Sequence, residues 1–116
     1  MPKPHDPQML KGVLALLLLR LLADEDGYGY GIVTRLREAG FPELAEGTVY
    51  PALTRLESAG HLGSYLRRSG SGPARKYYHL TDTGRAELAA RAQAWAELVQ
   101  AVQTVTTTST TATTGA

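Results

Sequence analysis

The chain of 116 residues has no cysteine. Disulfides and thiolate metal sites are therefore excluded, and a reducing cytoplasm is the expected location. It also lacks a charge excess: the formal net charge is +1 at pH 7, so no global basic field announces nucleic acid. No apolar run is long enough to cross a bilayer. The leucine-dense stretch Val13 to Leu22 is too short, and Arg20 interrupts it. The same stretch does not read as a secretory leader, because no small-residue cleavage site follows and it ends in Asp24-Glu25-Asp26. No membrane partner is expected. A catalytic constellation is missing as well. No nucleophile, base and orienting acid recur at useful spacing, and no glycine-rich phosphate loop follows a strand. Neither an enzyme nor a cofactor is expected. His5, His61 and His79 are too scattered to hold a metal. Asp24, Glu25 and Asp26 lack the alternate spacing of a calcium loop and read as a solvated turn. There is no internal repeat. A chain of this length forms one domain with a small margin of stability.

What is present centres on Glu46 to Gly60. This stretch predicts a helix of about four turns, stopped by Gly60 where a left-handed cap is needed. Val49, Ala52, Leu53 and Leu56 form a narrow apolar stripe on it. The outward side carries Gly47, Pro51, Thr54, Arg55 and Ser58, with Thr48 and Tyr50 on its flanks. That face is small, hydroxylated and singly basic, which suits entry into the major groove of B-DNA. Pro51 allows two starts. With Thr48 as N-cap it lies in the first turn, where amides are unpaired anyway; with a start near Glu46 it should kink the helix.

Residues 1–8, with three prolines, read as a flexible arm. Helix 1 is expected from about Met9 to Ala23. It is apolar on nearly all sides, so it must be buried on more than one face, which points to a second chain. After the acidic turn comes helix 2, about Tyr30 to Ala39, with Ile32, Val33, Leu36 and Ala39 inward and Gly40 as its stop. Helix, short turn, helix is the spacing of a helix-turn-helix unit. Past Gly60 the period changes to two. Leu62, Ser64 and Leu66 alternate with Gly63, Tyr65 and Arg67; Ser69 to Pro73 is a turn; Ala74 to Leu80 returns. Arg67, Arg68, Arg75 and Lys76 flank that tip, and no acidic residue lies between Gly63 and Thr81. Thr81 caps a last helix, along which Leu88, Ala92, Trp95, Val99 and Val102 form a heptad-type seam for packing on another helix. From residue 106 the chain is almost pure Thr, Ser and Ala and is expected to be disordered.

These parts, in this order, resemble the PadR family of transcriptional regulators. The resemblance covers about Leu10 to Leu88. It rests on Gly29-Tyr30-Gly31-Ile32, on Gly47-Thr48-Val49-Tyr50-Pro51-Ala52-Leu53 with Arg55-Leu56-Glu57, and on Arg75-Lys76-Tyr77-Tyr78-His79-Leu80-Thr81 with Gly84. It implies a mainly α fold with a small β-hairpin, a winged helix-turn-helix over 9–80 plus a C-terminal dimerisation helix over 81–105. It further implies a homodimer on pseudo-palindromic double-stranded DNA, usually as a repressor. Gly47, Thr48, Tyr50, Pro51, Thr54 and Arg55 would then belong to the recognition helix, and Arg67, Arg68, Arg75 and Lys76 to the wing. Some members bind flat aromatic effectors between the chains against a Trp of the last helix. Trp95 lies in the matching region, where it serves either that role or dimer-core packing. Two departures stand out. Ala45 replaces a capping Ser, which weakens the helix start by about 1 kcal/mol, and Gly31 stands where a longer polar residue is usual, which would loosen the start of helix 2. The competing reading is a winged-helix module that binds an acidic protein partner instead of DNA.

Overall fold

The computed structural model describes residues 5–68 and 70–115, with side chains through Thr107. Helix α1 (Pro7–Asp24) begins two residues earlier than expected. The Asp6 carboxylate accepts the amides of Gln8, at 2.8 Å, and Met9, and Pro7 takes the first helical position, where no amide is needed. The arm is correspondingly shorter. His5 packs on Phe41, hydrogen-bonds the Gly40 carbonyl at 2.9 Å and gives its amide to Glu43; residues 1–4 lie outside the described residues. Helix α1 buries Leu10, Leu14, Leu18, Leu19 and Leu22, and Val13, Ala15, Leu17 and Leu21 pack half-covered around that row.

The acidic turn leads into a strand that the sequence did not announce. β1 (Gly27–Tyr28) is only two residues long, too short for any period to show. Helix α2 (Gly29–Glu38) buries Ile32, Val33 and Leu36. Ala39, expected inward, is its C-cap and is exposed. Gly40 then takes φ 114° and the Phe41 amide reaches back to the Leu36 carbonyl at 3.1 Å, a Schellman closure. At Gly31 a Cβ would lie 3.0 Å from the Tyr28 ring, so the glycine makes room for that ring.

Helix α3 (Glu46–Ser58) starts at Glu46, which resolves the two readings of Pro51. The proline lies inside the helix, and the helix runs on through it. Its missing amide leaves the Gly47 carbonyl without an i+4 donor. Ala45 supplies no side-chain cap. Val49, Ala52, Leu53 and Leu56 face the core as the stripe predicted. Gly60 has φ 84°, and the His61 amide closes on Leu56 at 2.9 Å.

Strands β2 (Leu62–Arg67) and β3 (Arg75–Leu80) form the antiparallel hairpin, in the register Leu62 to Leu80 and Arg67 to Arg75. β1 joins the other edge of β3, so the sheet order is β1-β3-β2. Leu62, Tyr78 and Leu80 point into the helical core. Helix α4 (Asp82–Gly115) is capped by Thr81, whose hydroxyl accepts the Gly84 amide at 3.0 Å. It continues past Val105 over the Thr-rich residues expected to form a tail. The hydroxyls of Thr104, Thr106 and Thr107 donate to the carbonyls of Gln100, Val102 and Gln103 in the preceding turn, so these residues satisfy themselves within the helix. At 34 residues α4 is about 50 Å long and projects from the domain.

Gly84 and Gly12 should respond oppositely to alanine. A Cβ at Gly84 would lie 2.0 Å from the His61 carbonyl oxygen, which is backbone and cannot swing aside. Gly84→Ala should cost roughly 2 kcal/mol or more in urea unfolding. At Gly12, on an exposed stretch of α1, nothing lies within 4 Å. Gly12→Ala should stabilise by about 0.5–1 kcal/mol. A harmless Gly84 variant would mean that the junction of α4 with His61 is looser than described.

Candidate nucleic-acid interface

The exposed residues of α3 follow one another around the helix in the order Glu46, Tyr50, Thr54, Gly47, Ser58, Pro51, Arg55, Thr48. Gly47 and Pro51 raise no long side chain from the middle of this arc, so a partner can approach the backbone there. Thr54 spends its proton on the Tyr50 carbonyl, at 3.1 Å, and keeps acceptor lone pairs outward. Arg55 makes no ion pair and no hydrogen bond among the described residues and is the one cationic donor of the arc. Its edge of the helix borders a hollow of about 1040 Å³ whose walls include Leu10, Lys11, Leu14 and Arg91. The Tyr50 edge borders a second hollow of about 490 Å³, closed on its far side by Arg75 and Lys76 of β3.

The four basic residues of the hairpin are not equivalent. Arg67 and Arg75 stand directly opposite one another on the outer face of the sheet, a like-charge pair that is unfavourable by itself. Each guanidinium folds back over a tyrosine, Arg67 over Tyr77 at 5.0 Å and Arg75 over Tyr28 at 4.7 Å. Tyr28, Tyr77 and Tyr65 themselves form one row across the three strands. The Tyr65 hydroxyl donates to Asp26 at 2.6 Å, and that bond raises its pKa above the ordinary phenol value. Arg68, beside the tip, has no ion pair among the described residues.

Lys76 lies on the opposite face of β3. Its ammonium is 3.0 Å from Glu57 of α3 and 5.1 Å from the centre of the Tyr78 ring. Glu57 also accepts the Ser64 hydroxyl at 2.5 Å. The Ser64 bond first, then Lys76, holds the Glu57 carboxyl below its ordinary pKa, and Glu57 raises that of Lys76. Lys76, expected in the wing, thus braces the hairpin against α3. Glu57 and Ser64 were not among the expected site residues. A carboxylate that answers a lysine across two elements leaves no signal until the strand register is known.

The expected seam on α4 divides in two. Leu88 packs half-buried on the domain core, whereas Ala92 is exposed and Val99 half-buried. Trp95 is 45% exposed and Val102 50%, and two residues outside the expected seam, Leu98 at 55% and Val105 at 75%, complete an apolar stripe on the projecting part. Trp95 lines neither of the two hollows. Among the described residues no helix is long and apolar enough to cross a membrane, and no group of three or more His, Cys, Asp or Glu could hold a metal ion.

Comparison with known proteins agrees with this architecture. The model of the transcriptional regulator PadR-like family matches residues 18–90. A transcriptional regulator of Mycobacterium tuberculosis is 35% identical over 90 residues, which span 78% of this chain and 82% of that protein. The crystal structure of a PadR-like transcriptional regulator from Bacillus cereus superposes with a TM-score of 0.77 at 39% identity, covering 84% of this chain and 95% of that one. A Streptococcus transcriptional regulator gives a TM-score of 0.79 at 38% identity, covering 87% and 99%.

The Glu57 bridge has a pH signature. The folded-state pKa of Glu57 lies below the ordinary value of 4.5. Its contribution is therefore complete above that value and is lost as pH falls through the lower folded value. The urea midpoint of the wild type should fall between about pH 5 and pH 3 more steeply than that of Glu57→Gln. Parallel curves would show that other carboxylates carry the acid sensitivity.

Proposed function

The chain belongs to the PadR-like family of transcriptional regulators, and we propose that it acts in the cytoplasm as a homodimeric repressor on a pseudo-palindromic DNA operator. The observation that carries this reading is the exposed arc of α3, with the unpaired Arg55 on a face whose centre is stripped of long side chains by Gly47 and Pro51. In this reading Thr48, Thr54 and Arg55 meet base edges, and Arg67, Arg68 and Arg75 follow the phosphate backbone. Lys76 contributes mainly by holding the wing to α3. The apolar stripe on α4 supports the dimer. Trp95, Leu98, Val102 and Val105 expose too much apolar surface on one free helix to face water, and a second α4 offers the same stripe in return. Trp95 would then lie in the dimer seam, where it packs the core of the interface and offers the plane on which a flat aromatic effector would stack.

Two measurements test this. Log affinity for duplex DNA should fall with log salt at a slope of roughly −5, for about six phosphate contacts per dimer. Arg55→Ala should cost about 1–3 kcal/mol on a selected operator and less on random duplex, because arginine commonly pairs with guanine. Equal losses on both would make Arg55 a backbone contact. Salt-independent binding, or none, would favour a protein-binding module. For the dimer, Trp95→Asp with Leu98→Asp should give folded monomers by light scattering. Leu88→Asp should instead unfold the chain, because Leu88 packs on its own core. An intact dimer in the double variant would place the interface elsewhere.

A further inference from the structure

The 490 Å³ hollow between α3 and the hairpin has a lining of one chemical kind. Tyr30 from the first turn of α2, Tyr50 from α3, and Arg75 and Lys76 from β3 converge on it, together with Tyr28 and Tyr78. Every side chain in that wall can donate a hydrogen bond, and none is a carboxylate. The Tyr30 and Tyr50 hydroxyls have no partner among the described residues, although Tyr30 is 54% exposed and Tyr50 38%. Burial first, then Glu46 and the neighbouring tyrosines, raises the Tyr50 pKa, so this hydroxyl keeps its proton as a donor. The Tyr50 ring is held from behind. A Cβ on Gly29 would lie 2.8 Å from it, so only glycine lets the start of α2 approach this closely. The hollow is thus a wall of donors at the junction of the reading helix and the wing, the two elements that would straddle a duplex.

We infer that one backbone phosphate of bound duplex DNA seats in this hollow, held by the hydroxyls of Tyr30 and Tyr50 with Arg75 as its cation. The inference rests on the duplex-binding reading above and adds two residues to it. It places Tyr50 of the recognition helix at the backbone. Tyrosine, arginine and lysine are the usual phosphate partners in such interfaces, and such contacts set register on the duplex without reading sequence. A neutral donor and a charged one leave different traces. Losing Arg75 removes a counterion-releasing contact, whereas losing a tyrosine hydroxyl removes a hydrogen bond and no charge.

The test uses the full-length protein and a duplex that the wild type selects from a random library. Tyr30→Phe and Tyr50→Phe should each weaken binding about a hundredfold, on the selected and on random duplexes alike, as expected for one hydrogen bond to a charged group lost in each half of the dimer. They should leave the salt slope unchanged, while Arg75→Ala, which removes one contact in each half of the dimer, lowers its magnitude by about 1.8. Single methylphosphonate substitutions along each strand locate the phosphate without altering the protein. One position per half-site should lose affinity with wild type and lose little further with Tyr50→Phe. Gly29→Ala, which pushes the ring, should reproduce the Tyr50→Phe defect. Unchanged affinity in both phenylalanine variants overturns the inference while duplex binding itself stands. So does a methylphosphonate effect that simply adds to the tyrosine loss at every position. Absence of any salt-dependent duplex binding by the wild type overturns the underlying reading, and this one with it.

Discussion

Two neighbouring carbonyls fix the parts of this molecule to one another. The Gly60 oxygen, at the end of α3, accepts the hydroxyls of both Thr81 and Thr83, at 2.7 and 3.1 Å. The His61 oxygen, one residue on, accepts the Thr81 amide at 3.2 Å and leaves no room for a side chain on Gly84. The last turn of α3, the first residues of β2, the end of β3 and the first turn of α4 therefore meet within a few residues. Both carbonyls are satisfied by the next element of the chain. The helix that would read DNA and the helix that would hold a second chain are joined through a rigid junction and not through a linker.

Charge is placed by the same logic. The chain is almost neutral overall, yet its hairpin has an outer face of arginines and tyrosines and an inner face where Lys76 is matched by Glu57. A surface ion pair of this kind contributes little stability by itself. Its consequence is geometric. With Ser64 as a third member, it sets the angle between the wing and α3, and so the width of the hollow between Tyr50 and Arg75. The stacked arginines are likewise restrained by tyrosine faces, so less rotamer freedom remains to be lost when they meet a phosphate.

Much of this was legible in the sequence, and the boundary is physical. The α3 stripe of Val49, Ala52, Leu53 and Leu56 is buried as its spacing requires, because a single helix face decides it. The alternation of β3 puts Tyr78 and Leu80 inside for the same reason. Gly40 and Gly60 adopt the positive φ that their positions after helices implied. Features that depend on tertiary pairing were not legible. β1 exists only because β3 offers it an edge. Asp6 starts α1 two residues early, where three prolines drew attention to looseness instead of to a cap. Pro51 could be placed inside α3 only once Ala45 was seen as the cap.

The length of α4 matters for how a dimer of the proposed kind would work. Its first two turns belong to the protomer, since Leu88 packs on the core. Its apolar stripe begins only at Trp95, beyond the reach of the domain. A partner seated there would therefore touch a lever whose fixed end is the Thr81–Gly60 junction, and that junction is also the end of α3. Rotation of one α4 against its mate would be transmitted to the reading helices with little slack, because no flexible segment intervenes. A regulator that must hold two reading helices at one helical repeat of DNA needs this stiffness, and any effector that widens the α4 seam would act through the same lever.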